Sequence, residues 1–180
     1  DQDAVAEAVG ARDADRLLRT LADTARQVGW ISREAFDRLG RTGRSTRPAS
    51  RDAAPEVLAG GVACRDGRVA LDPAVPVTVT SVLEVAAVAA ERALPIDRAT
   101  LARLGDLDGD VDWTAEDRAA FVRLLRAGRR LVAVFEALDH VGALVRLFPE
   151  WAHVRARPQR NAYHRFTVDR HLLETVVECD

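Results

Sequence analysis

Apolar residues recur at helical spacing over most of this 180-residue chain, and the intervals where the rhythm lapses divide it. Leu17, Leu18, Leu21, Ala25 and Val28 share one face of a helical stretch running from about Ala4 to Val28. Gly10 weakens that stretch and separates a short first helix from a longer second one. Ser32, with Phe36 and Leu39 three residues apart behind it, predicts an N-cap and a further short helix. From Gly40 to Gly61 the rhythm disappears. Arg41, Arg44, Arg47 and Arg51 alternate there with Gly, Ser, Thr and Pro, which predicts a flexible, solvated linker. The apolar residues resume at Val62, and Asp66-Gly67 is a dipeptide that accepts positive φ at both central positions of a tight turn. A β-hairpin over about 61–71 follows. Two strands are marginal alone, so it must lie on helices.

The second half is helical throughout. Ser81-x-x-Glu84 has the form of a capping box before a Val- and Ala-rich run. Val82, Val85, Ala86, Ala89 and Ala93 form one face of that run, and Val88 and Ala90 leave little polar surface opposite them. This predicts a largely buried central helix ended by Pro95. Asp97 caps a short helix through Leu104, and Gly105 stops it. Thr114 caps a helix from Ala115 to Ala127, with Asp117 near its third position, Phe121, Leu124 and Leu125 on its apolar face, and Gly128 after it. Leu131, Val134, Phe135, Leu138 and Val141 continue at helical spacing. Gly142 then interrupts before Leu144, Leu147 and Phe148. No fixed period repeats, which excludes a solenoid.

Composition narrows the class. Hydrophobic residues make up 48% of the chain, enough for a core, and 30% charged residues give an ordinary soluble surface. A net charge of -2 excludes a general nucleic-acid or anionic-membrane binder, which needs a basic excess. The arginines of the linker have no interleaved aromatics on which bases would stack, so they read as a solvated loop. All 26 basic residues are Arg and Met is absent, so the sequence is expected to be a piece of a larger protein. Cys64 and Cys179 are too few for a disulfide framework and are expected to be free thiols. No apolar run reaches the ~18 residues of a membrane-spanning helix. Asp1, Asp3 and Glu7 stand where a signal peptide would be basic, and the expectation is a cytoplasmic protein.

Few segments carry chemistry. The run Asp106-Leu107-Asp108-Gly109-Asp110-Val111-Asp112 has the acidity of a calcium loop, but its glycine falls at position 4, where an EF-hand needs it at 6. It reads as an acidic loop between helices. Gly43-Arg44-Ser45 lacks a following Asp-x-Asp pair, and no phosphate-binding loop, dinucleotide fingerprint or nucleophile elbow occurs. His140 lies at a helix end, where the dipole favours a cation. The other three histidines cluster near the end of the chain. His153 follows Phe148-Pro149-Glu150-Trp151, and with Trp151 it is expected to pack in the connector. His164 and His171 lie in Tyr163-His164-Arg165-Phe166-Thr167-Val168-Asp169-Arg170-His171. Thr167 or Asp169 is placed to cap a helix that opens there, and the cap fixes where the His171 imidazole points.

This last segment resembles the bacterial PII uridylyltransferase/uridylyl-removing enzymes. In that family a Pro-Glu-Trp/Phe segment, a basic interval and a Tyr-His-x-Phe/Tyr-Thr-Val-Asp-x-His helix start join a helical connector to an HD-type phosphohydrolase domain. The match lies at Tyr163, His164, Phe166, Thr167, Val168, Asp169 and His171. It departs at Leu172, where the family usually has Thr, and at Asn161, where an acidic residue is common. The resemblance implies a mainly α fold: an irregular helical bundle with one small hairpin, ending in the first helix of an HD domain. It implies residues 1–39 as helices following a nucleotidyltransferase core, 40–60 as a linker, 61–157 as hairpin plus helical connector, and 158–180 as the start of the HD domain.

By the same resemblance His171 stands where the family places the first metal ligand of its H…HD…D set. Tyr163, His164, Thr167 and Asp169 would then line the pocket or hold the ligand, and the metal would be Mg or Mn. The parent would use UTP to uridylylate the PII signal protein and would remove the group again in response to glutamine, with no nucleic-acid or membrane partner. One imidazole builds no metal site, so this chain alone is expected to be inactive. Two other readings stay open at the level of sequence: a non-catalytic helical interaction domain, and part of another HD-type phosphohydrolase.

Overall fold

The computed structural model of the chain describes residues 2–43, 56–109, 111–159 and 166–179. It is mainly helical with one small antiparallel sheet, the class that the periodicity predicts. Contacts within the chain divide it into two compact units, residues 1–51 with 150–172, and residues 52–149 with 173–180.

The first unit begins with α1 (Gln2–Ala8) and α2 (Ala14–Gly43). Gly10, at φ 75, makes the break between them that the sequence predicts. The connection is closed by the Ala11 N–H donating to the Ala6 carbonyl at 2.8 Å. The Asp3 carboxylate accepts from the Ala14 N–H at 3.2 Å, and Asp13 accepts from the Arg16 N–H at 2.7 Å, so two acids serve the free amides that open α2. Contrary to the expected break at Ser32, α2 runs unbroken for 30 residues. Arg33, Glu34 and Ala35 directly after Ser32 favour helix, and one serine lowers propensity too little to interrupt it. The large apolar residues Leu21, Val28, Ile31, Phe36 and Leu39 lie exposed along α2. The same unit contains α8 (Trp151–Val154) and the opening turn of α9 (Val168–Glu178).

The second unit holds the core. A three-stranded antiparallel sheet has the order β1 (Glu56–Val57), β2 (Val62–Arg65), β3 (Arg68–Leu71). The β2–β3 pair is the expected hairpin, with Asp66 at φ 51 and Gly67 at φ 68 in the turn. The strand β1 corrects the expected linker, which was to extend to residue 60. Two residues give no alternation to read. They are fixed instead by distant partners: Arg92 donates to both Glu56 carboxylate oxygens at 2.7 and 3.2 Å. Residues 44–55 of the expected linker lie outside the described residues, and residues 40–43 continue α2.

Helix α3 (Val79–Arg92) is the buried centre that the sequence predicts, with every residue from Ser81 to Ala90 except Glu84 buried. It packs on β3 and on two later helices, α5 (Ala115–Leu125) and α6 (Arg130–His140). Its capping box is Thr78 with Ser81, three residues before the predicted pair. Glu84 instead meets Arg123 at 3.0 Å, and Arg123 also holds Glu91 at 2.8 Å. Ala93 ends α3 in the left-handed region at φ 53, two residues before Pro95. Beyond it the Val69 N–H donates to the Pro95 carbonyl at 3.0 Å and the Asp97 N–H to the Val69 carbonyl at 2.7 Å, tying the chain to β3.

Asp97 then caps α4 (Arg98–Leu104), accepting from Ala99 and Thr100 N–H at 3.0 and 3.1 Å. Thr114 and Asp117 form the reciprocal box that opens α5, as predicted. Gly142, at φ 77, turns the chain from α6 into α7 (Ala143–Leu147). Trp113, Phe121 and Phe148 form a mutual aromatic cluster with ring centroids 5.1–5.2 Å apart. Cys64 and Cys179 are free thiols. Among the described residues, no helix is long and apolar enough to cross a membrane.

Candidate functional site

The segment that carries the sequence motif opens α9. Its start is set by local hydrogen bonding: the His171 N–H donates to the Thr167 carbonyl at 2.9 Å, and the Arg170 N–H donates to the Asp169 carboxylate at 2.9 Å. One residue earlier, the Val168 N–H donates to the Arg157 carbonyl at 2.9 Å. That bond fastens the helix start to the turn after α8. The turn needs Ala156 in the left-handed region, at φ 52, where a residue with a Cβ is uncommon. Ala156 is nevertheless 1% exposed, and its N–H donates to the Asp169 carboxylate at 2.9 Å.

Asp169 is the polar centre of this arrangement. The residue is 1% exposed, and the oxygen that accepts from Ala156 also pairs with the Arg26 guanidinium at 2.8 Å. Burial pushes its carboxyl pKa up, yet the Thr167 hydroxyl, the Ala156 N–H and the Arg26 charge together outweigh burial and hold it below the usual carboxylate range. A second ion pair in the same unit, Arg155 with Asp23 at 2.8 Å, joins the α8 turn to α2. The Arg170 guanidinium lies 5.8 Å from the centre of the Phe166 ring.

The predicted residues separate into three groups. Thr167 and Asp169 meet in one hydrogen-bonded cluster, and Asp169 is committed to that cluster through both oxygens. His171 lies one turn in, on the exposed side of α9. Tyr163 and His164 lie outside the described residues. Of the remaining candidates, Trp151 is half-buried, while His153 and His140 are exposed. Sequence reading did not single out Arg26. It lies 143 residues from Asp169, and nothing in its neighbourhood sets it apart from the other arginines of α2.

As a metal centre the described residues do not suffice. No group of three His, Cys, Asp or Glu side chains among them converges on a point. The carboxylate nearest in sequence to His171 already serves Arg26 and two backbone amides. Among its described residues the segment has one imidazole, that of His171.

Comparison with known proteins supplies the context. The chain is similar to the bifunctional uridylyltransferase/uridylyl-removing enzyme of Streptomyces coelicolor, with 40% identity over 98% of this chain and 23% of that protein. The enzyme of the same name from Mycobacterium tuberculosis is 37% identical over 97% of this chain and 22% of its own length. That from Corynebacterium glutamicum is 32% identical over 97% of this chain and 26% of its own length. The chain therefore spans about a quarter of the curated relatives it matches. No family model matches it, and no solved structure gives a significant match.

Proposed function

The chain is homologous, along almost its whole length, to one stretch of the bifunctional uridylyltransferase/uridylyl-removing enzymes, and from that premise we propose that it forms the helical connector of such an enzyme and the opening of its HD-type uridylyl-removing domain. The parent would transfer UMP from UTP to the PII signal protein and hydrolyse it off again, with glutamine setting the balance. In this reading the chain itself contributes scaffold. The core around α3 holds the connector rigid, and the start of α9 presents His171.

The observation that carries the proposal is the similarity over 97–98% of the chain at 32–40% identity, which runs through the motif at the start of α9. His171 would be one ligand of a divalent ion, Mg or Mn, that activates water for phosphodiester hydrolysis. Parts of the parent that this chain does not span would supply the other ligands. Two properties of the segment support the role. The imidazole stands on the exposed side of the helix, and the helix start that carries it is held by three hydrogen bonds of 2.9 Å.

The test is His171→Ala in the full-length enzyme. Uridylyl removal from modified PII should be abolished while UTP-dependent transfer stays within about twofold of wild type. Unchanged removal would end the ligand assignment.

A further inference from the structure

We propose that Arg26 and Asp169 act together as a positioning couple for the uridylyl-removing site, fixing the first turn of α9, and with it His171, against α2. The inference rests on the functional reading above and adds to it a residue, Arg26, from the far end of the sequence.

The geometry argues for a dedicated device. Asp169 is a buried carboxylate, 1% exposed, on the helix turn that precedes His171 by two positions. A helix cap alone would satisfy one or two backbone amides at the surface. This carboxylate reaches further, taking the Ala156 N–H at 2.9 Å, the Arg170 N–H at 2.9 Å and the Arg26 guanidinium at 2.8 Å. Three segments therefore converge on one side chain: the middle of α2, the strained turn at Ala156, and the start of α9. Arg155 with Asp23, about one α-turn before Arg26, adds a second ion pair between α2 and the turn after α8. Arg26 is itself mostly covered, with 22% of its side chain exposed, so the pair is shielded from the screening that makes surface ion pairs weak.

A general structural role does not require that arrangement. Apolar packing would hold α9 to α2 without the cost of burying a charge, and exchanging a whole buried ion pair for apolar residues of similar volume is often neutral or stabilising. A buried, multiply bonded pair contributes direction instead: it admits one rotation and one depth of the helix start. His171 is two residues along, on the opposite, exposed side of the same turn. Its imidazole is aimed by whatever fixes that turn, and a site group displaced by about 1 Å can lose about a hundredfold in rate.

The experiment uses the full-length enzyme with both activities assayed, and compares His171→Ala, Asp169→Asn, Arg26→Gln and Arg26→Lys. Asn keeps the shape and the acceptor for the Ala156 N–H but drops the charge, and Lys keeps the charge. Asp169→Asn and Arg26→Gln are expected to lower kcat for uridylyl removal by about tenfold to a hundredfold, with KM for modified PII and the rate of transfer little changed. Arg26→Lys should recover most of the loss, and Asp169→Asn with Arg26→Gln together should be no worse than either alone. Hydrogen exchange at the Arg170 and His171 amides should speed up in both charge-removing variants while that of the α3 amides stays at wild-type rates.

The positioning role is overturned if removal survives both charge-removing variants, or if both activities fall together, since the couple would then hold the fold and not the site. A result in which His171→Ala loses removal but Asp169→Asn does not would sink the couple and spare the ligand assignment. Full removal by His171→Ala would sink both.

Discussion

Asp117 shows how a single side chain can carry a helix start. It is 1% exposed, and its carboxylate accepts from the Thr114 N–H and hydroxyl at 2.8 Å each, while its own N–H donates back to the Thr114 hydroxyl at 3.1 Å. Burial pushes the carboxyl pKa up, but the Thr114 amide and the Thr80 and Thr114 hydroxyls bring it below the usual range. A carboxylate with a depressed folded-state pKa stabilises the fold above its unfolded pKa, and that contribution is lost as pH falls through the folded value. Asp117→Asn should therefore cost about 1 kcal/mol at neutral pH. In denaturant titrations the gap to wild type should close below about pH 4. A gap that persists unchanged into acid would mean that the side chain acts by shape alone.

At the scale of the element, Gly105 makes a separate prediction. A Cβ built there would stand 2.8 Å from the Val141 carbonyl oxygen, a backbone atom that cannot swing away. Gly105→Ala should destabilise the second unit by about 1–3 kcal/mol through overpacking. Gly67→Ala, where no atom lies within 4 Å and only the positive φ resists, should cost about 1 kcal/mol. Equal losses at the two sites, read from thermal unfolding, would contradict this assignment of causes.

The elements that were legible in the sequence are those whose signals are local. Asp66-Gly67, Asp97 with Gly105, and Thr114 with Asp117 each settle a turn or a cap within a few residues, and the structure places each as read. What was illegible depends on partners far along the chain. The pair Glu56–Val57 is a strand because of β2 and Arg92, and no pattern of two residues announces that. The α3 cap moved to Thr78 because Ser81 served as the third helical residue instead of the N-cap, which freed Glu84 for Arg123. Continuity of α2 through Ser32 is not a local signal, because a serine followed by Phe36 and Leu39 has the same pattern at a helix start as inside a helix. The same holds at the candidate site. Asp169 could be picked out as a cap from its place near His171, but Arg26 is visible only once α2 and α9 are seen together.

For the whole molecule, the second unit is the better packed and should govern resistance to unfolding. Leu138→Ala, which deletes a fully buried side chain from α6, should cost about 2–5 kcal/mol. The exposed apolar residues of α2 contribute little to this chain's own core, so Phe36→Ala, at a site 73% exposed, should leave its unfolding midpoint almost unchanged. Function belongs to a still larger scale, because this chain corresponds to about a quarter of its relatives' length and no three metal-ligating side chains converge among its described residues. Expressed by itself it should label no PII with UTP and remove no uridylyl group. The most direct test is made where the site would be whole, with His171→Ala in the full-length enzyme and both reactions followed on PII. The account predicts that removal falls by more than about a hundredfold while transfer proceeds at nearly the wild-type rate. Removal at the wild-type rate, or equal loss of both reactions, would contradict it.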